Sequence, residues 1–244
     1  MKIVLAAAPV RTGDMAFNVE TMRRAVADWS GRAELIVFGE SVLQGFDCLC
    51  FDYARDAETG VDVTGEPIRA LREAAREGGI ALSFGFIRRR EENLYSCQIF
   101  IDAGGEIVEL YHRVSPGWKE ISLADGHYRE GEGFHCFSCQ GRRFAIALCG
   151  DLWTEDWPEK MGALSPEILL WPVWCDYDPG EWNGSVKEEY AVQAARCGKT
   201  VLLVNPYCAD GTPGCAAGGC ACFREGKIVA ELPAGEAGCL LVEV

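Results

Sequence analysis

Short apolar runs rich in β-branched residues recur along the chain, and helix-like segments separate them. Runs of this kind, apolar on both faces, are typical of strands that are covered on both sides of a sheet. The predicted strands are 2–10 (KIVLAAAPV), 33–41 (AELIVFGES), 80–87 (IALSFGFI), 143–151 (RFAIALCGD), 167–174 (EILLWPVW), 200–207 (TVLLVNPY) and 238–244 (GCLLVEV). This alternation predicts a layered α/β protein with mixed sheets.

The segments between these runs have the spacing of helices or of tight hairpins. The predicted helices are 18–29, 67–79 and 182–197. The predicted antiparallel hairpins are 95–114 and 218–232, each built around a glycine-containing turn. The side chain of Asn18 can cap the first predicted helix at its N-terminus.

The charge of the chain limits the partners that it can have. The formal net charge over 244 residues is −14. A nucleic acid or an anionic membrane needs a basic surface, so neither is an expected partner. The apolar runs are too short to span a bilayer, and no glycine-rich phosphate loop follows a strand. We therefore expect neither a membrane segment nor a nucleotide cofactor.

Thirteen cysteines are an unusually large number for a chain of this length. Because no secretory segment is apparent, we expect a cytoplasmic protein whose thiols are mostly free and buried. Cys136 and Cys139 form a C-x-x-C pair, but no second pair lies at zinc-ribbon distance. We expect no metal, and a redox or metal-binding protein remains an alternative of another class.

Three polar side chains lie where predicted strands end or in the loops that follow. Glu40 ends one strand, Cys149 ends another, and Lys119 lies in the loop after the first hairpin. Residues just past buried strands point into the crevice where α/β proteins bind ligands. A carboxylate can take the proton of a thiol, and a cation can stabilise the thiolate and a later oxyanion. Taken singly, each residue also has an ordinary interpretation as a surface charge or a core thiol.

The order of these motifs resembles the nitrilase-like carbon–nitrogen hydrolases nearly from end to end. The matching stretches are AELIVFGESVLQGFD around Glu40, NLYSCQIFIDAGGEIVELYHR over the first hairpin, IALCGDLWTEDWPE around Cys149, and LLWPVW with YAVQAARCGKTVLLVN after it. The resemblance implies one domain over residues 1–244, folded as a four-layer α-β-β-α sandwich with two mixed sheets. It also implies a homodimer or higher homo-oligomer, and no cofactor.

The resemblance implies a thiol-dependent amidase mechanism. Glu40 takes the proton of Cys149, the thiolate attacks a small-molecule amide or ureido carbon, and water hydrolyses the thioester. A nitrilase or an acyl-transferring enzyme is the alternative within the family. A non-catalytic relative is a further alternative, because Arg113 lies at the position where the family has its lysine.

Two residues are therefore candidates for the catalytic cation. Lys119 comes six residues after Arg113, and we expect the loop VSPGWKE to deliver it to the site. Arginine stays charged and can stabilise an oxyanion, but it is a poor proton shuttle. The predicted triad is Glu40, Lys119 and Cys149.

Six further side chains are candidates for binding substrate, and one of them is Cys175, which directly follows Trp174. Glu120 matches a second glutamate that many family members use to position the substrate and the lysine. Trp153 and Trp174 are expected to form a flat apolar wall near the cysteine, although core packing explains them equally well. Tyr111 is a weaker candidate, as is Tyr128.

Overall fold

The computed structural model describes residues 1–211 and 214–244, which fold around two six-stranded mixed sheets. The first sheet has the order β14-β1-β3-β4-β5-β6. Its strands are β1 (Lys2–Ala7), β3 (Leu35–Phe38), β4 (Ala81–Arg90), β5 (Asn93–Ile101), β6 (Ile107–His112) and β14 (Gly238–Glu243). The three central strands β1, β3 and β4 run parallel, and their neighbours run antiparallel.

The second sheet repeats this arrangement in the second half of the chain. Its order is β13-β12-β10-β9-β8-β7, with β8, β9 and β10 parallel. Its strands are β7 (Cys136–Cys139), β8 (Arg142–Ile146), β9 (Ile168–Pro172), β10 (Thr200–Val204), β12 (Cys220–Arg224) and β13 (Lys227–Leu232). A short parallel pair, β2 (Pro9–Val10) with β11 (Tyr207–Cys208), links the two halves.

The helices are α1 (Met15–Trp29), α2 (Tyr53–Thr59), α3 (Glu66–Gly78), α4 (Trp157–Ala163), α5 (Pro179–Glu181) and α6 (Lys187–Cys197). Of these, α1 and α3 cover the outer face of the first sheet, and α4 and α6 cover that of the second. Single helical turns lie at Phe46–Cys48, Cys149–Trp153 and Trp182–Val186. No helix in the described part of the chain is both long and apolar enough to cross a bilayer.

Alternating residues of the strands divide the core into layers. Along β1, Ile3 and Leu5 face the second sheet, whereas Val4 and Ala6 face the helices α1 and α3. The second sheet likewise packs its outer face against α4 and α6. Because both faces of each sheet are buried, the strands read as continuous apolar runs. The predicted four-layer α-β-β-α sandwich is confirmed.

The start of the first helix differs from the prediction. Helix α1 begins at Met15, and the side chain of Asp14 caps it by accepting a hydrogen bond from the Phe17 N–H at 3.0 Å. Asn18 is instead buried inside the helix, where its amide donates to the carbonyl of Arg11 at 2.8 Å and of Leu43 at 3.1 Å. The N-cap prediction was therefore wrong, because this asparagine satisfies a neighbouring loop rather than its own helix.

The cysteines are mostly free, as expected, although two of them are joined. Cys208, the last residue of β11, forms a disulfide with Cys215. Cys136 and Cys139 lie on the edge strand β7, where Cys139 is buried in the core between the sheets. The thiol of Cys136 contacts the carbonyl of Leu164 at 3.7 Å.

We predict that Phe100→Ala destabilises the fold strongly. Phe100 is completely buried between the two sheets, with ring centroids 5.1 Å from Phe137 and 5.3 Å from Phe144. Its truncation leaves a cavity, and the free energy of unfolding should fall by about 3–5 kcal/mol. Urea denaturation measures this, with Ile121→Ala as the control. Ile121 is 68% exposed, so its truncation should change stability by no more than about 0.5 kcal/mol. Equal losses in both variants would contradict this assignment of the core.

Candidate active site

Cys149 begins a tight turn just past β8, in a backbone conformation that residues other than glycine rarely adopt. Its φ is +43°, in the left-handed region. The indole N–H of Trp171 donates to the Cys149 carbonyl at 3.0 Å, and the thiol lies 3.9 Å from the carbonyl oxygen of Trp174. Strain of this kind persists only where surrounding contacts enforce it, and it is concentrated at functional sites.

Asp151 enforces the turn from within. Its carboxylate accepts hydrogen bonds from the backbone N–H of Leu148 at 2.9 Å and of Ser115 at 2.8 Å. It also accepts from the Val114 N–H at 3.1 Å and from the Tyr111 hydroxyl at 2.6 Å. Burial raises the pKa of this carboxyl, and the hydrogen bonds oppose that rise. Asp151 thus joins the cysteine turn to the segment that follows β6.

Glu40 follows β3 and is completely buried. One oxygen, Oε1, accepts hydrogen bonds from the Ser96 hydroxyl at 3.0 Å and from Nη1 of Arg113 at 2.9 Å. The other oxygen, Oε2, is buried and has no hydrogen-bond partner among the described residues. A buried carboxylate oxygen without a partner is costly in a core, so Oε2 is available for a proton.

The backbone at Glu40 lies against β4, and only glycine permits this approach. A Cβ at Gly85 would lie 2.3 Å from the backbone nitrogen of Ser41 and 2.7 Å from the Cα of Glu40. The Glu40 N–H also donates to the Val173 carbonyl at 3.2 Å, which connects the two sheets at this point. The position of the carboxylate is therefore set by the packing of both sheets.

Arg113 is the cation that meets Glu40. Its side chain is 4% exposed, Nη1 bonds to Glu40, and Nε donates to the Ser115 hydroxyl at 2.8 Å. Burial acts to lower the pKa of Arg113, but the charges of Glu40, Cys149 and Asp151 raise it above its ordinary value. The guanidinium is therefore permanently charged beside the thiol.

The residue after the cysteine makes room for this guanidinium. A Cβ at Gly150 would lie 2.7 Å from Nη2 of Arg113 and 3.2 Å from the Ser115 hydroxyl. Any larger residue would push the guanidinium away. Nη2 consequently lies beside the peptide that follows Cys149.

Lys119 lies elsewhere, so the expectation that its loop delivers it to the site was wrong. Its ammonium donates to the Tyr128 carbonyl at 2.7 Å and pairs with Glu130 at 2.6 Å. The preceding Trp118 is buried in a separate cluster with Tyr128, at a ring distance of 6.2 Å. This anchor holds the neighbouring lysine away from Glu40.

The predicted substrate-binding residues are only partly near the thiol. Glu120, which was expected to position the substrate and the lysine, is exposed and accepts a hydrogen bond from the Ser122 hydroxyl at 2.8 Å. Trp174 is buried, and its carbonyl oxygen contacts the thiol of Cys149. Trp153 is 46% exposed and packs edge-on against Tyr190 with 5.0 Å between ring centroids.

The two weaker tyrosine candidates support the structure around the site. Tyr111 holds Asp151, as described above. Tyr128 donates its hydroxyl proton to Asp56 at 2.7 Å, in the satellite cluster that holds Lys119. Neither contact involves Glu40 or Cys149.

Sequence reasoning missed two residues of the site, Ser96 and Tyr190, and it named Cys175 only as a pocket candidate beside Trp174. Ser96, Cys175 and Tyr190 all contact Glu40 or the thiols beside it. Ser96 lay in the YSC stretch of the predicted hairpin, which had no assigned role. Tyr190 had no signal that distinguished it from the other tyrosines of the chain.

The surroundings of Cys149 lower the pKa of its thiol. The largest cause is a hydrogen bond from the thiol of Cys175, and the charge of Arg113 acts in the same direction. Burial and the charge of Glu40 oppose them. A thiol with a lowered pKa beside a buried carboxylate and an arginine is equipped to act as a nucleophile.

Residues 3–244 match the family model described as carbon-nitrogen hydrolase. The chain belongs to the carbon–nitrogen hydrolase family. An (R)-stereoselective amidase from Pseudomonas sp. is 24% identical over 170 residues, which are 70% of this chain and 59% of that protein. An aliphatic nitrilase from Rhodococcus rhodochrous is 25% identical over 62% of this chain and 40% of its own length. The matches thus span about half the length of these relatives.

Solved structures share the fold. An amidase from Nesterenkonia sp. AN1, shown after Michael addition of acrylamide at its active-site cysteine, aligns with a TM-score of 0.77 and 22% identity. The alignment covers 100% of this chain and 93% of that one. A CN-hydrolase superfamily protein from Xanthomonas campestris, with an arsenic adduct in its active site, gives 0.78 and 19% identity over 100% and 90% of the two chains.

We predict that Asp151→Asn loosens the turn that carries Cys149. An amide oxygen can accept only part of the four hydrogen bonds, and its NH₂ group would face N–H donors. The free energy of unfolding should fall by about 2–3 kcal/mol. Denaturant titration measures this, with the exposed Asp176→Asn as the matched control. Unchanged stability in Asp151→Asn would show that the carboxylate does not hold the turn.

Proposed function

We propose that the protein is a thiol-dependent hydrolase that cleaves a non-peptide amide or ureido bond of a small molecule. The observation that carries this proposal is the set of three groups around one turn. Cys149 has a lowered pKa, Glu40 has one buried oxygen with no partner among the described residues, and Arg113 is charged beside both. Family membership supports the class of reaction.

The first step would be proton transfer from the thiol to Glu40. Oε1 is occupied by Ser96 and Arg113, so Oε2 is the oxygen that accepts the proton. Arginine does not release its proton in this pH range, and it therefore orients the carboxylate without competing for the thiol proton. The thiolate then attacks the carbonyl carbon of the substrate.

The second step would need donors for the oxyanion that forms. Nη2 of Arg113 lies beside the peptide following Cys149, as the close approach to Gly150 shows. The backbone N–H of Gly150 is the second candidate donor. Donors placed in advance around a developing negative charge are among the largest contributions to enzyme catalysis.

In the last steps Glu40 would act first as a general acid and then as a general base. Its protonated form gives the proton to the departing amine, and the thioester remains on Cys149. Glu40 then takes a proton from water, which attacks the thioester and releases the acid. One carboxylate can serve as base and acid in turn because each step restores the protonation state that the next requires.

Two alternatives are favoured by specific observations. Nitrilases are among the curated relatives, so a nitrile substrate is the first. The second is a non-catalytic binding protein, because Arg113 stands where the resemblance places a lysine. A panel of small amides, ureido compounds and nitriles separates the first alternative from the proposal, and absence of ammonia or amine release from all of them would favour the second.

We predict that Glu40→Gln and Cys149→Ala each reduce ammonia release by about 1,000-fold or more, since each removes a group that acts in bond breaking. Glu120→Gln is the matched control, because Glu120 is exposed. It should retain activity within about twofold. Iodoacetamide labelling followed by mass spectrometry gives a second measurement, in which Glu40→Gln should slow the labelling of Cys149. Full activity in Cys149→Ala would rule out a mechanism in which the Cys149 thiol is the nucleophile.

We predict that Arg113→Ala, unlike Lys119→Ala, abolishes most of the activity. Loss of an oxyanion donor costs about 100- to 1,000-fold in kcat, and this variant also leaves Glu40 without its positively charged partner. Lys119→Ala should stay within about threefold, because Lys119 contacts Tyr128 and Glu130 instead. Steady-state ammonia assays on both variants, with folding checked by circular dichroism, decide between them. Greater loss in Lys119→Ala would restore the lysine as the catalytic cation.

The assembly and the cellular location stay predictions. The resemblance implies a homodimer or higher homo-oligomer, and the composition favours the cytoplasm. Light scattering coupled to size-exclusion chromatography would test the first.

A further inference from the structure

A second thiol lies beside the proposed nucleophile and has no part in the mechanism above. Cys175 lies three residues past the end of β9, directly after Trp174, whose carbonyl oxygen is 3.9 Å from the Cys149 sulfur. The thiol of Cys175 is also the largest influence on the pKa of Cys149. The sulfur of Cys175 lies 3.4 Å from the hydroxyl of Tyr190. The side chain of Cys175 therefore lies between helix α6 and the turn at Cys149.

The backbone of Cys175 is clamped by a buried asparagine. Its N–H donates to the Oδ1 of Asn205 at 2.9 Å, and its carbonyl accepts from Nδ2 at 2.9 Å. Asn205 is completely buried, and its amide also donates to the Tyr177 hydroxyl at 3.0 Å and the Gly218 carbonyl at 3.0 Å. A residue held at both backbone polar groups presents its side chain at a defined place.

The direction of the hydrogen bonds follows from which groups keep their protons. Burial raises the pKa of Tyr190 above its ordinary value, and the neighbouring Cys149 raises the pKa of Cys175. Both groups therefore remain protonated when Cys149 ionises. The Tyr190 hydroxyl can then donate to the sulfur of Cys175, and the Cys175 S–H can donate to the Cys149 thiolate.

We propose that Cys175 is a further catalytic residue, which donates its S–H hydrogen bond to the sulfur of Cys149 and holds it as a thiolate before attack. Tyr190 is the positioning residue that orients this donor. The inference rests on the proposed function in one respect, that Cys149 is the nucleophile.

The need for such a donor follows from the charges around the site. Burial of Cys149 and the nearby charge of Glu40 both disfavour a thiolate, and Arg113 is already shared with Glu40 and Ser115. A neutral donor stabilises the thiolate without adding a second positive charge to the pocket. It also leaves the guanidinium available for the oxyanion.

The test is the pH dependence of alkylation of Cys149, which needs no turnover. The rate of iodoacetamide labelling is followed by mass spectrometry, so that each cysteine is scored separately. We expect Cys175→Ala to move the midpoint of Cys149 labelling upward by about one pH unit, with about tenfold slower labelling below the wild-type midpoint. Cys175→Ser, which restores an O–H donor, should stay within about 0.3 unit of the wild type.

Two further variants separate this role from simple packing. Cys197→Ala removes another buried thiol and should leave the midpoint unchanged. Tyr190→Phe should move the midpoint of Cys149 labelling in the same direction as Cys175→Ala, but by less. This variant tests the inference even if Cys175→Ala fails to fold. Melting temperatures of all variants show whether the fold is intact.

The outcomes distinguish this inference from the proposed function. Labelling of Cys149 that shifts in Cys175→Ala and recovers in Cys175→Ser supports it. An unchanged midpoint in Cys175→Ala, or an equal shift in Cys175→Ser, overturns it while the nucleophile stands. A wild-type Cys149 that does not react at all overturns the nucleophile and this inference together.

Discussion

The buried ion pair between Glu40 and Arg113 is the interaction on which the site depends. Removing two charges from water costs several kcal/mol, and their attraction offsets this only when the remaining polar atoms are also bonded. Ser96 and Ser115 meet much of that need through Oε1 and Nε. Oε2 of Glu40 departs from the rule, since it has no partner among the described residues. Departures of this kind are expected where function, rather than stability, selects the arrangement.

The layered fold was predictable because burial on both faces makes the central strands continuously apolar. Its finer features were not, since they arise from contacts between distant segments. The run 143–151 read as one strand, yet β8 ends at Ile146 and the chain turns sharply at Cys149. Helix α2 is short and polar, and it depends on the buried Asp56, which accepts from Tyr128 72 residues away. Short elements of this kind carry no periodic signal.

The identity of the cation shows why chemistry alone was an unreliable guide to geometry. Lysine is the better proton shuttle, and that argument favoured Lys119. The structure instead places Lys119 beside Trp118 in a separate cluster, and a neighbour six residues upstream meets Glu40. The resemblance pointed to Arg113, which holds the family's lysine position, and Gly150 is a second signal because a residue without a side chain directly after the cysteine leaves room for a guanidinium. Its meaning becomes apparent only when Arg113 is known to lie there.

The place of a cysteine relative to its strand is what distinguishes Cys149 and Cys175 from the other cysteines of the chain. Cys149 lies three residues past the end of β8, and Cys175 lies three residues past the end of β9. These strands are parallel neighbours, with Ile146 paired to Leu170. Residues that follow adjacent parallel strands lie at the same edge of the sheet, where α/β proteins bind ligands. The distance of a thiol from its strand end, read together with the neighbouring strand, is therefore more informative than the abundance of cysteine.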